Sequence, residues 1–548
     1  MKRRNFIKNS ALSGLAITSI AGASSCATPS PEVEKTVIAD AVTNYNNFEL
    51  LETTITRLQA EYRSGAVSVE QVTQLYLDRI KSIDREGPKL NSVIEINPDA
   101  IEIARSLDQE LKDGKIRGPL HGIPIMIKDN INTADKMMTT AGSLALIGNI
   151  AEKDAPIIKQ LREAGAVLLG KTNLSEWANF RSTRSSSGWS SRGKQTRNPY
   201  YLDRTPCGSS AGSGAAVSAN LCTITIGTET NGSIVCPSST NGVVGIKPTV
   251  GLWSRSGIIP ISVSQDTAGP MARNVSDAAI LLGALTAQDP SDSKTSRSKG
   301  KVAVDYSEFL ILDGLAGKRI GVWRDAFGFH EKVDEILQAS IAAIEAAGAT
   351  VIELEEVIPN ISECYGPSRT VLEYEFKDGV NKYLASANAL SEVKSLQDVI
   401  EYMDANPDQT MPFFQKEILA SSQNRGDLSD KEYQDAVSLV QSRSRNGIDQ
   451  TMTKHKLDAI MGPTGGPGWQ IDVVNGDNYG GGSSSPAAWS GYPNISVPAG
   501  FVHGLPVGLS FFGSEWSEGQ LISIAYAFEQ KTKARKAPTF LPSVDFNA

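Results

Sequence analysis

Short apolar runs alternate with segments of helical periodicity along most of this chain. Apolar runs of about four to eight residues are typical of strands buried on both faces, and the segments between them predict covering helices. We therefore expect an α/β fold with a mixed β-sheet core covered by helices on both faces. The predicted strands are 90–96, 124–128, 166–170, 223–227, 243–246, 319–323, 350–354, 459–461 and two between 495 and 512, and the predicted helices are 69–83, 98–113, 155–164, 333–347 and 517–533.

Length and composition limit the classes of protein that the chain can belong to. Its 548 residues suffice for a large core, and length alone favours about three domains. Hydrophobic residues make up 40% and charged residues 21%, with a formal net charge of −8. No basic block stands out beyond the N-terminus, which argues against a nucleic-acid-binding protein.

The N-terminal residues have the features of a targeting segment. Residues 1–26 contain paired arginines followed by a short stretch of small apolar residues, and they resemble a twin-arginine export signal. Residues 23–26 loosely match a lipoprotein cleavage site, in which Cys26 would be the lipidated residue. Residues 27–45 are polar and predict a flexible spacer, and residues 46–548 are predicted to form a single domain. We therefore expect an exported protein, periplasmic or held at a membrane by a lipid anchor.

Cysteine and histidine spacing gives no indication of a metal site. The cysteines after the signal are Cys207, Cys222, Cys236 and Cys364, and their spacing matches neither a zinc site nor a disulfide framework. Buried free thiols are the favoured interpretation, while a bridge among the three clustered cysteines stays open. The four histidines lie far apart in the chain. The sequence therefore predicts no metal and no cofactor.

Two loops rich in glycine and serine lie within residues 207–251. The first carries Ser209 and Ser210, and the second carries Ser233. Loops of this kind bring backbone N–H groups close to a reacting atom. Upstream, Lys128 ends the run PIMIK, and no histidine adjoins the serines. This combination indicates nucleophilic catalysis of the Ser-Lys kind.

Two other interpretations of the first loop fail on its context. Residues 208–212 satisfy the G-x-S-x-G pattern with Ser210 as nucleophile, but that pattern requires a buried strand directly before it. Residues 198–206 are instead typical of a loop. A phosphate-binding loop is excluded because no Gly-Lys-Ser/Thr follows the glycines.

The second loop follows the predicted strand 223–227 and can present Ser233 to a cleft. Backbone N–H groups of this turn could converge on an oxyanion; they belong to Thr230, Asn231, Gly232 and Ser233. On this segment alone, a polar turn without a catalytic role is an equal alternative.

Lys128 follows four mostly apolar residues, so its amine is expected to be removed from water. Desolvation lowers the pKa of a lysine and makes the neutral amine available as a base near neutral pH. The alternative is a lysine at the end of a strand that is exposed to solvent. Only the presence of the two serine loops argues against this alternative.

Taken together, these motifs resemble the amidase signature family. That family has a Gly-Ser-Ser loop, a Gly-Thr-(Asp/Glu)-Thr-x-Gly-Ser turn and a Gly-Val-Val-Gly-(Leu/Ile)-Lys-Pro-Thr segment. The matching segments here are 208–210, 227–233 and 242–249, together with Gly122-Ile123-Pro124 and Lys128-Asp129 upstream. The resemblance extends from about residue 50 to the C-terminus and is strongest between residues 119 and 280.

The resemblance implies the amidase signature fold and a Ser-Ser-Lys triad. Ser233 would be the nucleophile, Ser209 in a cis peptide linkage the proton relay, Lys128 the base, and Ser210 the residue that orients the lysine. The implied reaction is hydrolysis of a carboxamide through an acyl-enzyme intermediate, which releases ammonia or an amine. Asn231 departs from the family, in which Gly or an acidic residue is common.

Three further segments resemble the bacterial peptide amidase branch, namely 139–143, 173–179 and 265–270. That branch hydrolyses C-terminal peptide amides. We therefore expect a small-molecule or peptide amide as substrate, no nucleic-acid partner, and membrane contact only through the lipid anchor.

Two alternative functions stay open. The amidotransferase component that acts on misacylated tRNA shares the triad, but the export signal and the lack of an added basic surface argue against it. An extracytoplasmic solute-binding lipoprotein suits the export signal, but a binding protein has no use for Ser233 and Lys128 in one site.

Overall fold

The computed structural model describes Tyr45, residues 47–386 and residues 392–544. The predicted export signal, residues 1–26, lies outside the described residues, as does the predicted spacer, 27–45, apart from Tyr45. The ring of Tyr45 packs against Phe540, with 5.7 Å between the ring centroids. The predicted domain boundaries stay a prediction. Within the described ranges, no helix has the length and apolar character needed to span a bilayer.

An eleven-stranded mixed sheet forms the centre of the fold and confirms the predicted α/β class. The strands in chain order are β1 (Val93–Ile96), β2 (Pro124–Lys128), β3 (Val167–Thr172), β4 (Trp189–Ser190), β5 (Lys194–Gln195), β6 (Ile224–Glu229), β7 (Val244–Lys247), β8 (Thr267–Ala272), β9 (Arg319–Trp323), β10 (Thr350–Leu354), β11 (Ala459–Pro463), β12 (Asn494–Val502) and β13 (Leu505–Phe512). Across the large sheet the order is β1-β3-β2-β6-β8-β7-β12-β13-β11-β9-β10, while β4 and β5 pair separately.

The helices pack on this sheet and on one another. They are α1 (Ile55–Ser64), α2 (Val69–Arg79), α3 (Ala100–Lys112), α4 (Pro156–Glu163), α5 (Ala211–Ser218), α6 (Val235–Thr240), α7 (Val275–Ala284), α8 (Glu331–Ala346), α9 (Tyr365–Ser386), α10 (Leu396–Ala405), α11 (Pro407–Thr410), α12 (Glu417–Gln423), α13 (Lys431–His455), α14 (Ser485–Ser490) and α15 (Glu518–Thr532). Helix α2 begins with the capping box that its sequence predicts, in which Ser68 and Gln71 exchange hydrogen bonds.

Strand β2 lies inside the sheet, parallel to both of its neighbours, β3 and β6. All five of its residues are buried, as a strand covered on both faces requires. This position explains why the run PIMIK is almost wholly apolar. It also places Lys128, the last residue of β2, beside the ends of β3 and β6.

Several features of the fold differ from the sequence-based expectations. Strand β8, which lies between β6 and β7 in the large sheet, was not predicted. Strand β6 continues to Glu229 rather than ending at residue 227, because Thr228 and Glu229 still pair with β8. The turn that carries Ser233 therefore starts later than predicted. The helices between residues 365 and 455 were not assigned from the sequence. Helices α9 and α13 pack on each other, α9 also packs on α12 and α13 also packs on α14, rather than forming strand-helix units.

Candidate active site

Lys128 is fully buried and its amine lies among hydroxyl groups. The Nζ atom is 2.7 Å from Ser209 Oγ and 3.0 Å from Ser210 Oγ. It also lies 2.8 Å from Thr228 Oγ1 and 3.2 Å from the Thr228 carbonyl oxygen. The structure thus brings the predicted lysine together with both serines of the first loop. Thr228 is a further contact that the sequence analysis did not identify.

Burial lowers the pKa of Lys128 to about 7, although the nearby carboxylates of Asp266 and Glu229 act in the opposite direction. No carboxylate forms a salt bridge with this amine within the described part of the chain. A large part of the Lys128 population is therefore a neutral amine at neutral pH.

Two other buried lysines show that burial alone does not produce this arrangement. Burial also lowers the pKa of Lys171 and of Lys247, in each case to about 8. Lys171 donates to the Ile131 carbonyl oxygen at 2.6 Å and to Thr139 Oγ1 at 3.1 Å. Its neighbours are structural hydrogen-bond partners, whereas those of Lys128 include the two loop serines.

Ser209 and Ser210 lie directly before helix α5. The peptide bond between Gly208 and Ser209 is cis, as the family resemblance implies. The Ser210 hydroxyl donates to the Thr228 carbonyl oxygen at 3.0 Å and accepts from the Thr228 N–H at 3.1 Å, so it fastens the loop to the end of β6. Gly212 lets helix α5 lie close to the backbone beside β1 and β3; a Cβ there would lie 2.3 Å from the Ser92 carbonyl oxygen and 2.4 Å from the Asn173 carbonyl oxygen.

Ser233 lies in the turn between β6 and α6, next to the first loop. The Ser210 N–H donates to the Ser233 carbonyl oxygen at 3.1 Å, which holds the two loops together through their backbones. The Ser233 hydroxyl makes no hydrogen bond with any residue that the structure describes. Its predicted link to Ser209 is therefore not formed here; hydrogen bonds of this kind often tighten only when substrate is bound.

Glu229 organises the turn that carries Ser233, and the sequence analysis missed it. Its buried carboxylate accepts from the N–H groups of Gly232 at 2.8 Å, Ile234 at 2.8 Å and Val235 at 3.0 Å. Two of these amides open helix α6, where a negative charge is favourable. The sequence does contain a signal for this role. It is an acidic residue at the end of a strand, three to six positions before backbone N–H groups that have no hydrogen-bond partner within the following helix.

Gly232 differs from the other three N–H groups that were predicted to bind an oxyanion. Its N–H is engaged by the Glu229 carboxylate and is not free to bind an oxyanion in this structure. The N–H groups of the other three predicted donors have no acceptor among the described residues; they belong to Thr230, Asn231 and Ser233.

Replacing Glu229 by Gln is expected to lower kcat for amide hydrolysis by about 10- to 100-fold with little change in KM. The amide side chain keeps one acceptor oxygen, so one of the two carboxylate oxygens that hold the turn is lost, and small displacements of donors are costly. Steady-state kinetics with thermal unfolding as a check measures this. The matched control is Glu373→Gln, which changes a buried carboxylate on α9 that pairs with Arg369 and Arg425. Equal kcat losses in both variants would contradict the role of Glu229.

The side chains of the turn are also held in place. The Thr230 hydroxyl donates to Asp266 Oδ1 at 2.5 Å, and burial raises the pKa of Asp266 to about 6. Asn231 accepts from the Ser484 hydroxyl at 2.7 Å and donates to Ser485 Oγ at 3.2 Å. The residue that departs from the family pattern thus ties the turn to the N-terminus of α14.

Two of the four cysteines are bonded to each other, whereas free thiols were the favoured expectation. A disulfide joins Cys207, directly before Gly208, to Cys236 in the first turn of α6. Cys222 and Cys364 are buried free thiols, as expected. Spacing along the chain did not reveal the bridge, because it depends on two loops meeting in space.

A cleft of about 500 Å³ opens next to the site. It reaches Thr228, whose hydroxyl contacts Lys128, and Thr230 in the turn. One wall is the largely apolar segment 257–263, and the other includes residues of α9 such as Gly379 and Tyr383. This volume suits a small organic molecule or one or two amino-acid residues.

Comparison with known proteins identifies relatives over most of the chain. The family model described as Amidase matches residues 71–522. A probable amidase of Arabidopsis thaliana is 41% identical over 505 residues, which are 90% of this chain and 93% of that protein. A component of the glutamyl-tRNA(Gln) amidotransferase of Thermoanaerobacter pseudethanolicus is 34% identical over 507 residues, which are 89% of this chain and 98% of that one.

A solved structure is also closely similar. The peptide amidase from Stenotrophomonas maltophilia has a TM-score of 0.86 and 48% sequence identity, covering 90% of this chain and 99% of that chain. This chain belongs to the amidase family, which confirms the resemblance read from its motifs. It is an enzyme that hydrolyses amides.

Proposed function

We propose that the chain hydrolyses carboxamides by a Ser-Ser-Lys mechanism. The neutral amine of Lys128 accepts the proton of Ser209, and Ser209 takes the proton of Ser233 as Ser233 Oγ attacks the amide carbonyl carbon. The negative charge of the tetrahedral intermediate is stabilised by the free N–H groups of the turn. The relay then returns the proton to the leaving nitrogen as the C–N bond breaks. Water releases the acyl group from Ser233 by the reverse path.

The observation that carries this proposal is the contact between a buried amine and a loop hydroxyl. Lys128 Nζ is 2.7 Å from Ser209 Oγ, and burial lowers the pKa of the lysine to about 7. A base with a pKa near the working pH combines a large deprotonated fraction with useful basicity. No histidine is needed in such a site.

The pH dependence of kcat/KM is expected to follow the protonation of Lys128. Below a pH of about 7 the amine is an ammonium ion and cannot accept the proton of Ser209, so the rate falls about tenfold per pH unit. Above that pH the amine is neutral and the rate is level. Initial rates between pH 5 and about 10, with circular dichroism to confirm folding at each pH, measure this. A rate that continues to rise through pH 9 would contradict it.

We propose C-terminally amidated peptides and small amides as the substrates. The similarity to a peptide amidase and the cleft of about 500 Å³ beside Thr228 support this choice. A panel of amidated di- and tripeptides, aryl amides and aliphatic amides, assayed for ammonia or amine release, tests it. Turnover of small amides alone would reject the peptide substrate and leave the amidase mechanism in place.

The similarity to an amidotransferase component makes transamidation on tRNA the second candidate. Its test is purification of the chain from its native cells. Stable association with partner proteins, and transfer of ammonia to a misacylated tRNA rather than release into solution, would favour it over free hydrolysis.

We propose that the chain is exported, either to the periplasm or to a membrane through lipidation at Cys26. The disulfide between Cys207 and Cys236 supports a compartment in which disulfides persist. Cell fractionation with mass spectrometry of the mature N-terminus tests this. Recovery of the full-length chain in the cytosol would contradict export.

A further inference from the structure

The disulfide between Cys207 and Cys236 joins the two catalytic loops covalently. Cys207 immediately precedes Gly208 and Ser209, and Cys236 lies three residues after Ser233. The closed loop, residues 207–236, includes Ser209, Ser210 and the whole turn from Glu229 to Ser233, but not Lys128. The bond therefore lies where a change in one loop is transmitted directly to the other.

Hydrogen bonds join the same two segments on either side of the disulfide. The Pro206 carbonyl oxygen accepts from Thr240 Oγ1 at 2.7 Å and from Asn241 Nδ2 at 2.8 Å. On the other side, the Ser210 N–H donates to the Ser233 carbonyl oxygen at 3.1 Å. We expect these contacts to keep the loops folded if the disulfide is lost, so that its contribution to catalysis can be measured separately from folding.

We propose that the Cys207–Cys236 disulfide is a positioning element of the active site, and that rapid hydrolysis requires it to be intact. This inference rests on the proposed function of Lys128, Ser209 and Ser233. The enzyme is thereby active in an oxidising compartment and slow under reducing conditions.

The chemistry of the switch is a thiol–disulfide exchange. A dithiol reductant breaks the bond between the two sulfur atoms and supplies two electrons and two protons, so that Cys207 and Cys236 become thiols. The two sulfur atoms of the reductant join as a disulfide. Sulfur atoms that are no longer bonded must move apart, and both cysteines are about 95% buried, with 5% and 6% of their surface exposed.

On reduction, the backbone is expected to take up this separation because the surroundings are packed. In the variant without the two sulfur atoms, the covalent link that holds the two Cα atoms at 6.0 Å is absent, so the two loops are free to shift relative to each other. The segment next to Cys207 carries Ser209, whose hydroxyl contacts Lys128 at 2.7 Å. A displacement of about 1 Å in a catalytic group can lower the rate by about 10²-fold. Reduction should therefore act on kcat, while the cleft beside Thr228 and the KM that depends on it change little.

The experiment compares kcat and KM of the full chain in its oxidised form, after dithiothreitol treatment, and as the Cys207→Ala/Cys236→Ala variant. Alkylation and mass spectrometry count the free thiols. The control is Cys222→Ala/Cys364→Ala, which removes the two free cysteines and keeps the disulfide. We expect kcat to fall about 10- to 100-fold on reduction and in the first variant, with KM within about threefold. Reoxidation with oxidised glutathione should restore kcat only in proteins that retain both Cys207 and Cys236.

A merely structural role predicts a different result. In that case the melting temperature falls, but kcat of the fully reduced protein, measured well below that temperature, stays within about twofold of the oxidised value; this would overturn the proposal. Should the oxidised protein hydrolyse no amide, the proposed function fails. A crystal structure of the Cys207→Ala/Cys236→Ala variant then still tests the positioning claim, since an unchanged distance of 2.7 Å between Lys128 Nζ and Ser209 Oγ would refute it.

Discussion

Ser233→Ala is expected to lower kcat for amide hydrolysis by about 10⁴- to 10⁶-fold while leaving the protein folded. Removal of a catalytic nucleophile costs this much because the remaining donors bind the substrate but form no acyl-enzyme. The Ser233 hydroxyl makes no hydrogen bond with the described residues, so its loss should change the melting temperature little. Ammonia release from an amidated peptide, with thermal unfolding of the same sample, measures both effects.

The matched control for this variant is Ser238→Ala. Ser238 is a buried serine in helix α6, and its hydroxyl donates to the Ile234 carbonyl oxygen at 2.8 Å. It lies close to the turn in sequence, but its hydroxyl forms no hydrogen bond with Lys128 or Ser209. We expect kcat near the wild-type value in this control. Near-normal activity of Ser233→Ala would reject Ser233 as the nucleophile.

Lys128→Ala is expected to lower kcat/KM by about 10²- to 10⁴-fold, the usual contribution of a positioned base. The loss should persist at high pH, because hydroxide cannot replace a base in a buried site. The rise in rate through a pH of about 7 should also disappear, since it reports the protonation of this amine. Rates of the variant between pH 6 and about 10 measure both expectations.

Lys171→Met is the control for removal of a buried lysine. Lys171 is as buried as Lys128 and its pKa is also lowered, but its amine donates to Ile131 and Thr139 rather than to the loop serines. This variant should be less stable yet keep the wild-type pH profile in its folded fraction. Recovery of the full wild-type rate by Lys128→Ala at high pH would mean that the lysine has only a structural role.

The sequence predicted the parts of this protein that depend on local pattern. An apolar run ending in one lysine located β2 and placed Lys128 at its end, because a strand parallel to both neighbours must be apolar on both faces. The desolvation of that lysine was predicted only by combining this pattern with the two serine loops, because a lysine at the end of a strand can equally be exposed to solvent. Glycine and serine at fixed spacing located the two loops with Ser209, Ser210 and Ser233.

The remaining features depend on which segments meet in space. Glu229 was counted with the turn, although pairing with β8 extends β6 to that residue and aims its carboxylate at the amides of α6. The disulfide was not favoured because the loops of Cys207 and Cys236 are adjacent only after β6 has joined the sheet. Helices α9 to α13 were not assigned because their apolar residues pack on segments that are distant in the chain, such as those of Ile259 and Trp323.

The central claim is that Lys128 is a neutral base at neutral pH, and its titration can be observed directly. Protein labelled with ¹³C at the lysine ε-carbons gives one resonance per lysine, and the Lys128 signal is the one absent from Lys128→Arg. The mechanism predicts a titration midpoint at a pH of about 7 for that signal. A midpoint near the ordinary lysine value of about 10.4 would contradict the mechanism, because the amine would then be protonated whenever the enzyme works.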